Sequence, residues 1–178
     1  MKLSGSPLNK AIFFDRDGIL TTEKTPPKDS KHININENIK EVLPHLKKMG
    51  YLLFCITNQP DVARGTKTKE EIQEVNDILW AMFPEIIKIE SCTHDDMDNC
   101  VCRKPKSGMI ICLAKEYEID LSKSWVVGDT WKDIGAGINA GAKTILFGKL
   151  KDDDKYIPDY STTKIKNIIG IIEGDISD

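Results

Sequence analysis

Short apolar runs alternate with amphipathic stretches along this chain, and few folds accommodate that alternation. Ala11–Phe14, Tyr51–Ile56, Ile86–Glu90, Ser124–Val127 and Thr144–Phe147 are rich in Ile, Val, Phe and Leu. Runs of this kind, with no polar face of their own, suit strands buried on both sides. Between them, residues 38–49 place Ile39, Val42, Leu43 and Leu46 on one side and stop at Gly50, which predicts a helix with a glycine just past its end. Pro44 is awkward there, because an internal proline costs a helix a backbone hydrogen bond. Residues 68–82 open on Thr68-x-x-Glu71, a capping box, and carry Ile72, Val75, Ile78, Leu79 and Met82. Residues 107–117 and 131–139 predict two more helices, and residues 162–172 a last one with Ile165, Ile168, Ile169 and Ile172 as its buried stripe. Strands alternating with helices imply a three-layer, Rossmann-like α/β fold with a parallel sheet. In such sheets ligands bind beyond the carboxyl ends of the strands.

At 178 residues, with 40% hydrophobic and 30% charged side chains, the chain is expected to form one domain over 1–178 around its own core. A net charge of −3 argues against nucleic acid or an anionic membrane as the main partner. Residues 1–10 hold no apolar run of signal-peptide length, and no stretch approaches a membrane span, so a cytoplasmic location is expected. Five cysteines in a reducing compartment argue against a disulfide framework.

The chemistry-bearing residues stand at the strand ends. The first strand runs into Asp15-Arg16-Asp17-Gly18. Two carboxylates at i and i+2 on an extended chain point the same way and repel unless a cation lies between them, and Mg²⁺ is the natural hard ion for oxygen ligands. The second strand ends at Thr57-Asn58-Gln59, a hydroxyl and an amide able to donate to a phosphate oxygen. Arg103-Lys104 precedes a helix, where a lysine can neutralise a nucleophile and a phosphoryl group. The fourth strand ends at Gly128-Asp129, with Asp133 a helical turn further on, and supplies another metal-binding carboxylate. Each group alone has a plain structural explanation as a turn, a cap or a solvated cation. Together, in this order, they make up nucleophile, acid, phosphate donors, cation and metal ligand.

FFDRDGIL, ITNQ, CRKP and VVGDTWKD, in that order between Ala11 and Phe147, resemble the four motifs of the haloacid dehalogenase superfamily of phosphatases. TNQ followed by Val62-Ala63-Arg64-Gly65, cysteines and a histidine just before Arg103-Lys104-Pro105, and GINAG at 137–141 are most similar to heptose 1,7-bisphosphate 7-phosphatases and the related histidinol-phosphate phosphatases. The resemblance implies that Asp15 attacks phosphorus, that Asp17 is general acid and then base, and that Asp15, the Asp17 carbonyl and Asp129 hold Mg²⁺. It further implies that Thr57 and Lys104 bind the phosphoryl group, that Asn58 and Arg103 contact substrate, and that Asp133 supports Lys104 or a metal-bound water. The sequence departs from the family pattern at Pro60 and Asp61, where TNQSG is usual, and at Thr130, where Lys or Arg is common.

Cys92, His94, Cys100 and Cys102 offer four ligands of the right softness for a tetrahedral Zn²⁺ within eleven residues. With no open position, that site is expected to be structural and to pin the loop bearing Arg103 and Lys104. Cys55 and Cys112 lie in apolar runs and are expected in the core. No insertion between Asp17 and Thr57, or between Thr57 and Lys104, is long enough for a cap domain, so a capless site is expected, flanked by a flap at Thr21–Ile33. The substrate expected is a small phosphorylated metabolite, a heptose bisphosphate or alternatively histidinol phosphate, handled by a monomer. A zinc-stabilised binding module without catalysis is the reading from another class, and the complete set Asp15, Asp17 and Asp129 speaks against it.

Overall fold

In the computed structural model, residues 8–25, 27 and 30–174 are described. The reading of residues 1–7 and parts of the Thr21–Ile33 flap therefore lie outside the described residues. Six strands form a single parallel sheet: β1 Lys10–Phe14, β2 Tyr51–Asn58, β3 Ile86–Cys92, β4 Trp125–Gly128, β5 Lys143–Phe147 and β6 Tyr160–Thr162. Their spatial order is β3-β2-β1-β4-β5-β6. Five helices accompany them: α1 Ile39–Lys48, α2 Lys69–Met82, α3 Gly108–Glu116, α4 Trp131–Ala140 and α5 Asn167–Gly174. The chain moves outward from β1 in one direction to β3, then returns to β4 and moves outward in the other. The reversal falls between β1 and β4, so a crevice opens at their carboxyl ends.

The pleat of β1 explains both layers. Ile12 and Phe14 face a core shared with Val42 and Leu43 of α1, Leu79 of α2 and Ile168 of α5. Ala11 and Phe13 face the opposite core, with Met109 and Leu113 of α3 and Ala136 of α4. Every one of these β1 side chains is fully buried.

The five expected strands are present, four of them extended by one or two residues and the fourth shifted by one. α1 continues across Pro44. The capping box of α2 forms as the sequence suggests: Glu71 N–H donates to the Thr68 hydroxyl at 3.1 Å and Thr68 N–H to the Glu71 carboxylate at 2.7 Å. The difference lies near the C-terminus. Residues 160–162 are a three-residue edge strand beside β5, and the last helix starts only at Asn167. Too short to show alternation, this strand is fixed by pairing with β5 rather than by its own pattern. Cys55 is buried as expected, whereas Cys112 is exposed, on the outward face of α3. Among the described residues no helix is long and apolar enough to cross a membrane.

Candidate active site

Asp15 follows the last residue of β1, and its N–H donates to Val127 O of β4 at 2.9 Å, which ties it to the switch between strands. Its Oδ1 accepts from Arg16 N–H at 2.7 Å and from the Lys104 ammonium at 2.8 Å, so neither donor claims Oδ2. Lys104 also donates to Asp133 Oδ1 at 2.5 Å and to Ile56 O at 3.0 Å. An ammonium has three donors, and all three are placed. Lys104 is 3% exposed. Burial pulls its affinity for a proton down, but the charges of Asp133 and Asp15 outweigh burial and hold it charged. For Asp15, burial first and the Asp133 charge second push the carboxyl up to about 8, against the pull of Lys104.

Two glycines let the carboxylates meet. Gly18 has φ +86°, and a Cβ there would lie 2.6 Å from Asp129 Oδ2. A Cβ on Gly128 would collide with the Asp133 side chain at 2.2 Å, so only glycine at the end of β4 admits the first turn of α4. Asp133 serves that turn twice: Oδ2 accepts from Thr130 N–H at 3.0 Å and from its hydroxyl at 2.6 Å, while Oδ1 holds Lys104. Asp133 thus contacts both Lys104 and the first turn of α4, and Thr130 is occupied as the cap.

Asp15, Asp129 and Asp133 each offer an oxygen, all within 4.8 Å of one another. Asp129 Oδ2 is buried and accepts no hydrogen bond, although the Lys24 ammonium forms an ion pair with it at 3.0 Å. Burial raises the Asp129 carboxyl above its usual range. A buried carboxylate oxygen in a cluster of like charges, met only by the mostly exposed Lys24 ammonium, fits a bound cation. The Asp17 carboxylate is not in this cluster. It is turned toward the Arg16 guanidinium and the Gln59 amide.

Thr57 is 1% exposed at the crevice floor, its hydroxyl accepting from Gln59 at 2.9 Å. Asn58 spends both ends of its amide on the backbone of Lys104: Oδ1 accepts Lys104 N–H at 3.0 Å and Nδ2 donates to Lys104 O at 3.1 Å. Arg103 is bound to Asp96 at 2.7 Å. These groups surround a crevice of about 540 Å³. Lys24, Arg64, Lys67 and Lys132 also line it and were not singled out from sequence, where exposed cations carry no pattern. Pro60 and Asp61 lie on its wall too. Asp61 is tied down by Thr66, whose hydroxyl donates to its carboxylate at 3.1 Å.

Cys92 at the end of β3 gathers His94, Cys100 and Cys102. Cys92 Sγ lies 3.1 Å from Cys102 Sγ, 3.7 Å from Cys100 Sγ and 3.6 Å from His94 Nδ1. The four donor atoms all fall within 4.8 Å of one another, which is the spacing of ligands around one ion. Lys104 follows two residues after this knot, so it is held on one side by the cluster and on the other by Asn58.

A sheet that reverses direction at this point, with an aspartate on β1, a lysine before α3 and an acidic pair at the start of α4, defines a haloacid dehalogenase-like phosphatase. The HAD-hydrolase-like family model matches residues 101–166. The D-glycero-beta-D-manno-heptose-1,7-bisphosphate 7-phosphatase of Helicobacter pylori is 38% identical over 78% of this chain and 83% of that protein, and that of Pasteurella multocida 30% over 94% and 98%. The chain belongs to this heptose-bisphosphate phosphatase family. The solved D,D-heptose 1,7-bisphosphate phosphatase from B. bronchiseptica, complexed with magnesium and phosphate, superposes with a TM-score of 0.78 over 93% of this chain and 99% of its own; at 22% identity it supports the fold alone.

Proposed function

We propose that the protein hydrolyses the 7-phosphate of D-glycero-D-manno-heptose 1,7-bisphosphate through an aspartyl-phosphate on Asp15. The observation that carries this reading is the buried Lys104 ammonium bridging Asp15 and Asp133 at the mouth of the sheet. Asp15 attacks phosphorus and the ester P–O bond breaks. Asp17 gives its proton to the departing alkoxide, then takes one from the water that attacks the phosphoenzyme. Charge accumulates on the phosphoryl oxygens in both steps, and Lys104 with Thr57 lies where that charge is offset. Asp15, Asp129 and the Asp17 carbonyl fit Mg²⁺, which when bound supplies further charge stabilisation. Cys92, His94, Cys100 and Cys102 fit Zn²⁺ in a structural part, holding the loop that presents Arg103 and Lys104. Lys132 on the crevice wall, with Arg64 and Lys67 already held by Asp95 and the Pro27 carbonyl, offers positive charge to a second anionic group, which favours a bisphosphate over histidinol phosphate.

The test is a panel of phosphate esters with the purified protein and Mg²⁺. The heptose bisphosphate should be hydrolysed far faster than histidinol phosphate, and Asp15→Asn should lower the rate at least about a thousandfold. Equal rates on both esters would remove the substrate assignment, and full activity in Asp15→Asn would remove the covalent mechanism.

A further inference from the structure

The chemistry above uses Asp17 but not the groups that hold it. Arg16 sits between the two catalytic aspartates in sequence, yet it is completely buried. Its guanidinium turns onto Asp17, with Nε 3.1 Å from Oδ1 and Nη2 3.1 Å from Oδ2. The remaining nitrogen, Nη1, donates to Asn76 Oδ1 at 3.0 Å. Asn76 is 3% exposed and lies inside α2, a polar residue in the register of Ile72, Val75 and Leu79. Its own Nδ2 donates to Ser91 Oγ of β3 at 2.9 Å. Gln59 completes the cradle by donating to Asp17 Oδ2 at 2.9 Å.

A buried guanidinium cannot give up its charge and needs an acceptor for each face. If Asp17 were its only partner, Arg16 would be free to slide along the carboxylate. The second anchor on α2, itself fixed to β3, removes that freedom and sets the plane of the Asp17 carboxylate. A proton donor works only within hydrogen-bond reach of the leaving oxygen, so its orientation bears directly on rate.

We propose that Arg16 and Asn76 are positioning residues for proton transfer by Asp17. This rests on the phosphatase reading, and it connects a helix outside the crevice to the departure of the leaving group. Acid assistance matters most when the leaving group is a strong base. An alkyl phosphate releases an alkoxide and needs the proton; a nitrophenyl phosphate releases a stable phenolate and hardly does.

The experiment compares kcat/KM, which reports steps up to leaving-group departure, for glycerol 3-phosphate and p-nitrophenyl phosphate with Mg²⁺ present. Asn76→Leu should lower the alkyl value about tenfold more than the aryl value. Asn76→Asp, which keeps an acceptor for Arg16, should restore the ratio. Arg16→Lys, which keeps the charge but not the fork, gives the same discrimination should Asn76→Leu fail to fold. Equal losses on both esters, or no loss on either, would overturn the proposal. If the unsubstituted protein hydrolyses neither these esters nor the heptose bisphosphate, the phosphatase reading falls first and this proposal with it.

Discussion

At the scale of single residues, burial against like charge is what shapes the site. The Asp15 carboxyl is pushed from 3.8 to about 8 by burial and by Asp133. A group whose folded pKa is raised holds its proton more tightly in the native state. The associated stability is fully present below pH ~4 and is lost as the pH rises through about 8. Metal-free protein should therefore melt at a lower temperature at pH 8 than at pH 5 as far as Asp15 is concerned. A divalent cation favours the charged carboxylate, so the rise in Tm on adding Mg²⁺ to EDTA-treated protein should grow between those two pH values. A gain that shrinks with pH would contradict this placement of the ion. Gly18→Ala should cost about 1–2 kcal/mol from its left-handed backbone and weaken Mg²⁺ binding, because the added methyl would press on Asp129; calorimetric titration with Mg²⁺ measures the second effect. Asp15, Asp17, Lys104 and Asp129 were legible in the sequence because each ends a strand or opens a helix. The part taken by Arg16 was not, since a charged residue between two aspartates reads as solvated. Asn76 left a fainter signal, a polar side chain in the buried stripe of α2.

At the scale of elements, the segment from Cys92 to Lys104 joins the end of β3 to the start of α3 with no regular strand or long helix in between. Its shape is held by the four-ligand knot, by the Asn58 amide on the Lys104 backbone, and by the Arg103–Asp96 and Arg64–Asp95 ion pairs. The two ion pairs are partly exposed and contribute little on their own. With the proposed zinc site, a chelator or Cys92→Ser should therefore raise hydrogen exchange across residues 92–104 and lower activity, while the far-ultraviolet dichroism of the sheet and helices stays unchanged. Unchanged exchange in that loop would show that the knot carries no structural load. Removing the α2 cap with Thr68→Ala should cost about 1 kcal/mol of stability, read as a lower denaturation midpoint. The long strands and the capped helices could be read from periodicity and cap residues. β6 could not, because three residues on an edge have no period, and the expected helix from residue 162 gave way to pairing with β5.

At the scale of the whole molecule, the net charge of −3 is not repeated in the crevice, whose lining carries six acidic and six basic side chains. Lys24, Arg64, Lys67, Arg103 and Lys132 gather round an acidic floor. A divalent ion held by the floor carboxylates would leave this lining net positive, and such a local field draws in anions. Raising the salt concentration should lower kcat/KM for a bisphosphate several-fold and kcat much less, an effect of approach rather than chemistry. The topology that gathers these groups was legible from the alternation of elements; of the cationic rim only Arg103 was, because Lys24, Arg64, Lys67 and Lys132 come from separate segments. The bond between Lys104 and Asp133 has one more consequence. Asp133 caps the helix that follows β4 and is also the counter-ion that steadies the lysine, so the turn that completes α4 sets the balance of charge around Asp15. Until the residues that follow β4 are in place, Lys104 lacks one of its two carboxylate partners.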